Sequence, residues 1–154
     1  MKPLITLLSC LICIQLFACC NKTNEVTSNS NNVLNTDSMK LKITVGSNTF
    51  SATVYNNATA TSFKTQLPLT INMRELNGNE KYFDLPNNLP TNASNPGTIQ
   101  TGDLMLYGSN TLVLFYKTFS TSYNYTRLAR IDNPSGLATA LGSGNITVKF
   151  EIGE

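Results

Sequence analysis

The chain has 154 residues, with eleven basic and nine acidic side chains and a formal net charge of +2. That balance excludes a nucleic-acid surface. There is no His, and all four Cys (Cys10, Cys13, Cys19, Cys20) lie near the start, so a Ser-His-Asp triad, a His metal site and, in the remainder of the chain, thiolate chemistry are excluded.

Met1-Lys2-Pro3 is a short positive start, and Leu4 to Ala18 is almost wholly apolar. A run of about fifteen apolar residues is short for a membrane span and suits a secretory signal. The ending Leu16-Phe17-Ala18-Cys19 resembles a bacterial lipobox. Residues 1–18 are therefore expected to be a lipoprotein signal peptide. Cys19 is the expected lipidation site, and Cys20 is its competitor. The resemblance implies a lipid anchor to the membrane. Cys20 stands where an Asp would resemble an inner-membrane retention signal, so the bacterial outer membrane is favoured, on either its periplasmic or its surface face. Residues 19–38 follow with Asn, Ser and Thr and little to bury. Such a stretch cannot offset its ordering entropy and reads as a disordered tether.

Residues 39–154 have the size of one domain. Lys40 to Val45 alternates with Leu41, Ile43 and Val45 on one face; Gly46-Ser47-Asn48 turns; Thr49 to Tyr55 alternates again. This predicts an opening hairpin. Asn57 is a plausible N-cap for a short helix from Ala58 to about Gln66, stopped by Pro68. Leu69 to Leu76 and Glu80 to Leu85 are strands joined at Asn77-Gly78, a strong hairpin signal. Tyr82 points away from Phe83. Residues 86 to 101 read as a long loop, of a length that often carries function.

Leu104 to Tyr107 and Thr111 to Tyr116 form the central hairpin around Gly108-Ser109-Asn110. Its second arm is apolar on both faces, which predicts a strand covered on both sides. Thr118 to Tyr125 is a polar-aromatic loop, and Thr126 to Ile131 a strand. Arg127 and Arg130, three apart, are expected to face opposite sides. Asp132-Asn133-Pro134 is read as the start of a second helix, with Leu137 and Leu141 on one face and Gly142 at its end. Asn145 to Ile152 closes the chain as an alternating strand, with Ile146, Val148, Phe150 and Ile152 expected inward. The fold expected is mainly β: a closed eight-stranded barrel with two short capping helices.

Tyr82, Tyr107, Phe115, Tyr116, Phe119, Tyr123 and Tyr125 gather around the central hairpin. Tyrosine offers apolar area with a polar tip, which suits peptide or sugar binding; the alternative is that most of these rings are barrel core or rim. Asp84 and Asp103 are carboxylates that read as turn residues rather than as an acid–base pair. No cofactor or metal is expected.

The strand order resembles the cyclophilin-like fold. Leu89-Pro90-Thr91 through Gly102-Asp103-Leu104, the run LMLYGSNTLVLFYKTFSTSYNY, and Arg127 to Asp132 are similar to a bacterial family of cyclophilin-like domains found in secreted or lipid-anchored proteins. The resemblance covers Lys40 to Ile152. It implies that Phe115 matches a pocket-lining phenylalanine of the prolyl isomerases. The Arg that the isomerases carry at the start of their third strand is replaced by Leu69-Thr70-Ile71, and Trp and His are absent. The expected function is therefore a non-catalytic binding module with a groove of Phe115, Tyr107, Tyr82, Tyr123, Tyr125 and Arg127. A peptide, a glycan or an envelope protein is the ligand class. The alternative is a peptidyl-prolyl cis-trans isomerase with atypical residues, using Arg74 or Arg127.

Overall fold

The computed structural model describes residues 39–153. The expected signal peptide, the expected lipidation site Cys19 and the expected tether lie outside the described residues. Eight strands close into a barrel in the order β1-β10-β3-β4-β7-β6-β9-β2, with every neighbouring pair antiparallel. In chain order these are β1 (Lys40–Val45), β2 (Asn48–Val54), β3 (Leu69–Leu76), β4 (Glu80–Asp84), β6 (Asp103–Tyr107), β7 (Thr111–Phe115), β9 (Tyr125–Ile131) and β10 (Ile146–Ile152). Two further short strands, β5 (Thr98–Ile99) and β8 (Phe119–Ser120), pair with each other outside the barrel. The eight-stranded barrel expected from the sequence is present. The segments read as pure loop, 86–101 and 118–125, each contribute one of these extra strands.

Side-chain alternation fills the barrel. Leu41, Ile43, Val45, Ala52, Ile71, Met73, Leu104, Leu106, Leu112, Leu114, Val148 and Phe150 are buried in one cluster. Ile152, expected inward, is 57% exposed, because it lies at the end of the last strand. Helix α1 (Ala58–Lys64) starts at the predicted cap: the Asn57 side chain accepts from the Ala60 backbone N–H at 2.8 Å. It sets Ala60 and Phe63 into the core, Phe63 edge-on to Phe150. Helix α2 (Leu137–Leu141) adds Leu137 and Leu141. The strand directions put α1 at one end of the barrel and α2 at the other.

The second helix is shorter than its sequence signals suggest. Gly136, in the left-handed region at φ 80°, is its cap, and Asn133 and Pro134 form a turn ahead of it. The Asp132 side chain is engaged elsewhere. It accepts from Thr53 at 2.6 Å and from Lys40 at 2.9 Å.

The two arginines on β9 share one face, contrary to their three-residue spacing. Leu104 pairs with Ala129 but Met105 pairs with Arg127, so Leu128 is an extra residue in a β-bulge. Leu128 and Ala129 both reach the core. Arg127 and Arg130, opposite Met105 and Asp103, therefore lie on the same outer face.

The α2 end of the barrel is closed by a polar lock that alternation alone did not reveal. Lys81 points inward from β4 and is fully buried. Its ammonium donates to the Glu75 carboxylate, to the Gly142 carbonyl at 2.9 Å and to the Gly144 carbonyl at 2.7 Å. All three of its donors are used. The Tyr116 hydroxyl and the Gly78 backbone N–H also donate to Glu75, at 2.8 and 2.9 Å. Burial pushes the Glu75 carboxyl upward, but the hydrogen bonds from Lys81 and Tyr116 outweigh it and hold it below the usual 4.5.

Candidate binding groove on the outer wall

Strand β7 is the centre of the site because both of its faces are covered. Leu112 and Leu114 face the barrel interior, and Val113 and Phe115 face outward. Period-two geometry carries the outward row across the neighbours: Tyr82 opposite Val113, Met105 opposite Val113, and Glu80 opposite Phe115. This outer wall is itself covered by the long loops. Ile99, Met105, Val113, Phe115 and Tyr125 form a second small core, with Tyr82 and Phe119 against it. The β5–β8 pairing and the Ser94–Tyr125 bridge hold the loops in place. Thr126 accepts from the Asn92 backbone N–H at 3.0 Å, and Thr59 donates to the Pro90 carbonyl at 2.7 Å.

The loops do not cover the whole wall. A groove of about 590 Å³ remains between the outer faces of β4 and β7 and the segment Phe119 to Tyr125. Its lining includes Tyr82, Tyr107, Tyr123 and Tyr125. Tyr107 stands edge-on to Tyr123, with centroids 6.0 Å apart, and tilted against Tyr125 at 5.5 Å. Tyr107 and Tyr123 are exposed at 45% and 61%, so their rings present apolar surface to solvent. Burial pushes the Tyr125 hydroxyl up to about 12, with the negative charge of Glu80 adding to it.

Four of the six residues expected at the groove are therefore brought together there. Phe115 lies beneath rather than in it. It is fully buried, 5.7 Å from Phe119 and 5.5 Å from Tyr125. It supports the rings that line the groove. Arg127 lies apart: its guanidinium donates to the Tyr55 hydroxyl at 3.4 Å and stacks over that ring, away from the groove lining. Arg74 sits at the rim. It is 4.5 Å from the Tyr82 ring centroid and donates to Asp84 at 2.6 Å.

Asp84 lines the groove with one donor on each oxygen, accepting also from Thr111 at 2.8 Å. Asp103 is buried elsewhere, accepting the Gln100 backbone N–H at 2.8 Å, the turn role its sequence context suggests. The two carboxylates share no site. Among the described residues, no cluster of three or more His, Cys, Asp or Glu side chains could hold a metal.

Sequence reasoning did not single out Glu80, Asn79, Thr111, Val113 or Ser120 to Ser122, all of which line the groove. The signal for Glu80 was present. Period-two alternation in EKYFD puts Glu80, Tyr82 and Asp84 on one face. Burial raises the Glu80 carboxyl above its usual value, and repulsion from Glu75 raises it further. The 119–122 wall had no such signal, because its position depends on pairing with Thr98–Ile99 across the chain.

A search of curated proteins finds no match. The solution structure of a hypothetical protein from Archaeoglobus fulgidus superimposes with a TM-score of 0.58 at 18% identity, covering 75% of this chain and 95% of that one. That likeness concerns the fold alone. The Cyclophilin-like family model matches residues 43–151, from the middle of β1 to the penultimate residue of β10 and through the whole groove wall. The chain belongs to the cyclophilin-like family.

Proposed function

We propose that this chain is a cell-envelope lipoprotein whose cyclophilin-like head is a non-catalytic binding module, taking a peptide or glycan ligand in the groove beside the central hairpin. One observation carries the reading: a 590 Å³ concavity, lined by four tyrosines, on the outer wall of a barrel whose interior is filled. Tyrosine rings give contact area at low entropic cost and keep a hydrogen-bonding tip. The filled barrel leaves the outer wall as the place for a ligand.

The isomerase alternative requires an arginine and Phe115 on one concave surface. Phe115 is fully buried, Arg127 lies on Tyr55, and Arg74 is held by Asp84. That separation favours binding without catalysis. The lipid anchor at Cys19 and the outer-membrane address rest on the lipobox resemblance.

The test is an amide NMR titration of residues 36–154, which contain the whole barrel and both helices, with a short Ala-Pro peptide and cis–trans exchange spectra. Shifts at Val113, Tyr107 and Tyr123 with unchanged exchange are expected. Accelerated exchange, lost in Arg74→Ala or Arg127→Ala, would replace this reading with the isomerase.

A further inference from the structure

Resting on the groove reading above, we infer that the groove selects a cationic ligand: a peptide segment that presents a lysine or arginine side chain to Glu80. The head as a whole carries more basic than acidic residues, nine against seven between Met39 and Glu154. The groove reverses that balance. None of its lining residues is Lys or Arg, and its charged members are Glu80 and Asp84.

The two carboxylates differ in how they are satisfied. Asp84 has a guanidinium and a hydroxyl on its oxygens. Glu80 has neither: among the described residues, no ion pair or hydrogen bond reaches its carboxylate. A half-buried carboxylate without a donor is unusual, because partial burial removes water without replacing it. Other groups near Glu80 do not replace the missing donor. Lys81, the next residue, points to the opposite face of β4 and spends its three donors on Glu75 and two carbonyls. Glu75 adds repulsion. Beside Glu80, the Asn79 side-chain oxygen also lacks a donor and is closed to solvent.

What surrounds Glu80 suits a cation. Tyr82 and Tyr125 line the same groove, and aromatic faces attract ammonium and guanidinium groups through their quadrupoles. The chain already shows this chemistry at the rim, where Arg74 stands over Tyr82 and against Asp84 together. A ligand arginine or lysine would repeat that arrangement with Glu80 as the carboxylate. The exposed Tyr107 and Tyr123 rings would cover the neighbouring peptide.

The experiment uses residues 36–154 and three blocked peptides: acetyl-Ala-Lys-Tyr-Ala-amide, the same peptide with acetyl-lysine, and the same with Glu for Lys. Binding is followed by amide NMR and calorimetry at 50 and 300 mM salt. The lysine peptide is expected to shift groove amides and to bind at least fivefold tighter than either analogue. Its affinity should fall at the higher salt and fall at least fivefold in Glu80→Gln. That variant removes only a charge repelled by Glu75, so its melting temperature reports independently that it is folded. Equal affinity for the lysine and acetyl-lysine peptides, unchanged in Glu80→Gln, would overturn the cationic selection while leaving the groove as a binding site. Groove shifts with a neutral N-acetylglucosamine oligomer and none with the lysine peptide would likewise overturn it, in favour of a glycan. Absence of groove shifts with every probe would overturn both readings.

Discussion

Replacing Glu75 by Gln tests whether the polar lock at the α2 end holds the barrel closed. The substitution keeps shape and an acceptor but removes the negative charge opposite Lys81. The Lys81 ammonium is fully buried and is left with neutral partners alone: the glutamine oxygen, the Gly142 and Gly144 carbonyls and the Tyr116 ring, 5.4 Å away. Breaking a buried ion pair on one side costs about 3–5 kcal/mol, because the other charge is left uncompensated. The Glu75 side chain retains 20% exposure, which places the expected loss near the lower end, about 3 kcal/mol. For a head of this size that is a fall in melting temperature of roughly 12 °C. Replacing Lys81 by Met leaves two carbonyls without their donor and is expected to cost about 2–3 kcal/mol. The double variant Glu75→Gln/Lys81→Met carries no buried charge, so the two losses should fail to add by about 2 kcal/mol. Urea unfolding of the four proteins measures the cycle. A loss below about 1 kcal/mol in Glu75→Gln, or additive losses, would refute the view that Lys81 is held charged by Glu75.

The lowered Glu75 and Asp132 carboxyls contribute stability that is complete above the unfolded carboxylate range near 4.5 and 3.8 and is lost as pH falls through their folded values. The raised Glu80 acts in the opposite sense: its protonated form is favoured in the fold, so a penalty develops as pH rises from 4.5 through its folded value. Glu80→Gln should therefore melt higher than the parent at pH 7 and equal to it below pH 4, whereas a lower melting point at pH 7 would contradict the assignment. Tyr116 and Tyr125, both raised to about 12, favour the fold while protonated; that stability is lost as pH rises from 10 through 12. An absorbance titration should show Tyr116 and Tyr125 ionising late, with the Tyr125 contribution to that late phase lost in Tyr125→Phe. Phe115→Ala removes a fully buried ring that supports Phe119 and Tyr125 and should cost about 3–5 kcal/mol, with loss of ligand shifts. Tyr123→Ala, at a ring 61% exposed, should change stability by less than about 0.5 kcal/mol yet weaken ligand binding; unaltered affinity would remove Tyr123 from the site. Gly102→Ala would place a Cβ at φ +91°, 3.0 Å from the Ile131 Cβ, and should destabilise by about 1–3 kcal/mol in thermal unfolding.

Local pattern alone determined the eight barrel strands, the cap of the first helix and the turn at Asn77-Gly78, where both residues take positive φ. It did so because a half-buried strand must alternate and a tight hairpin must contain residues that tolerate that backbone. It also showed that β7 is covered on both sides, since four consecutive apolar residues, Leu112 to Phe115, leave no polar face. Distant pairing decided the rest. The bulge at Leu128 put Arg127 and Arg130 on one face, because one unpaired residue inverts the alternation that spacing implies. Nothing local to Lys81 marks it as buried. It became an interior residue because Glu75, Tyr116 and the 142–144 carbonyls converge on its ammonium from three separate segments. The groove arose in the same way: the tyrosines are legible in the chain, but the wall that makes them a concavity exists only where Phe119–Ser120 meets Thr98–Ile99, some twenty residues away. Strand identity is a property of a few neighbouring residues; the charge, burial and enclosure of a side chain are set by whatever the closed barrel brings against it.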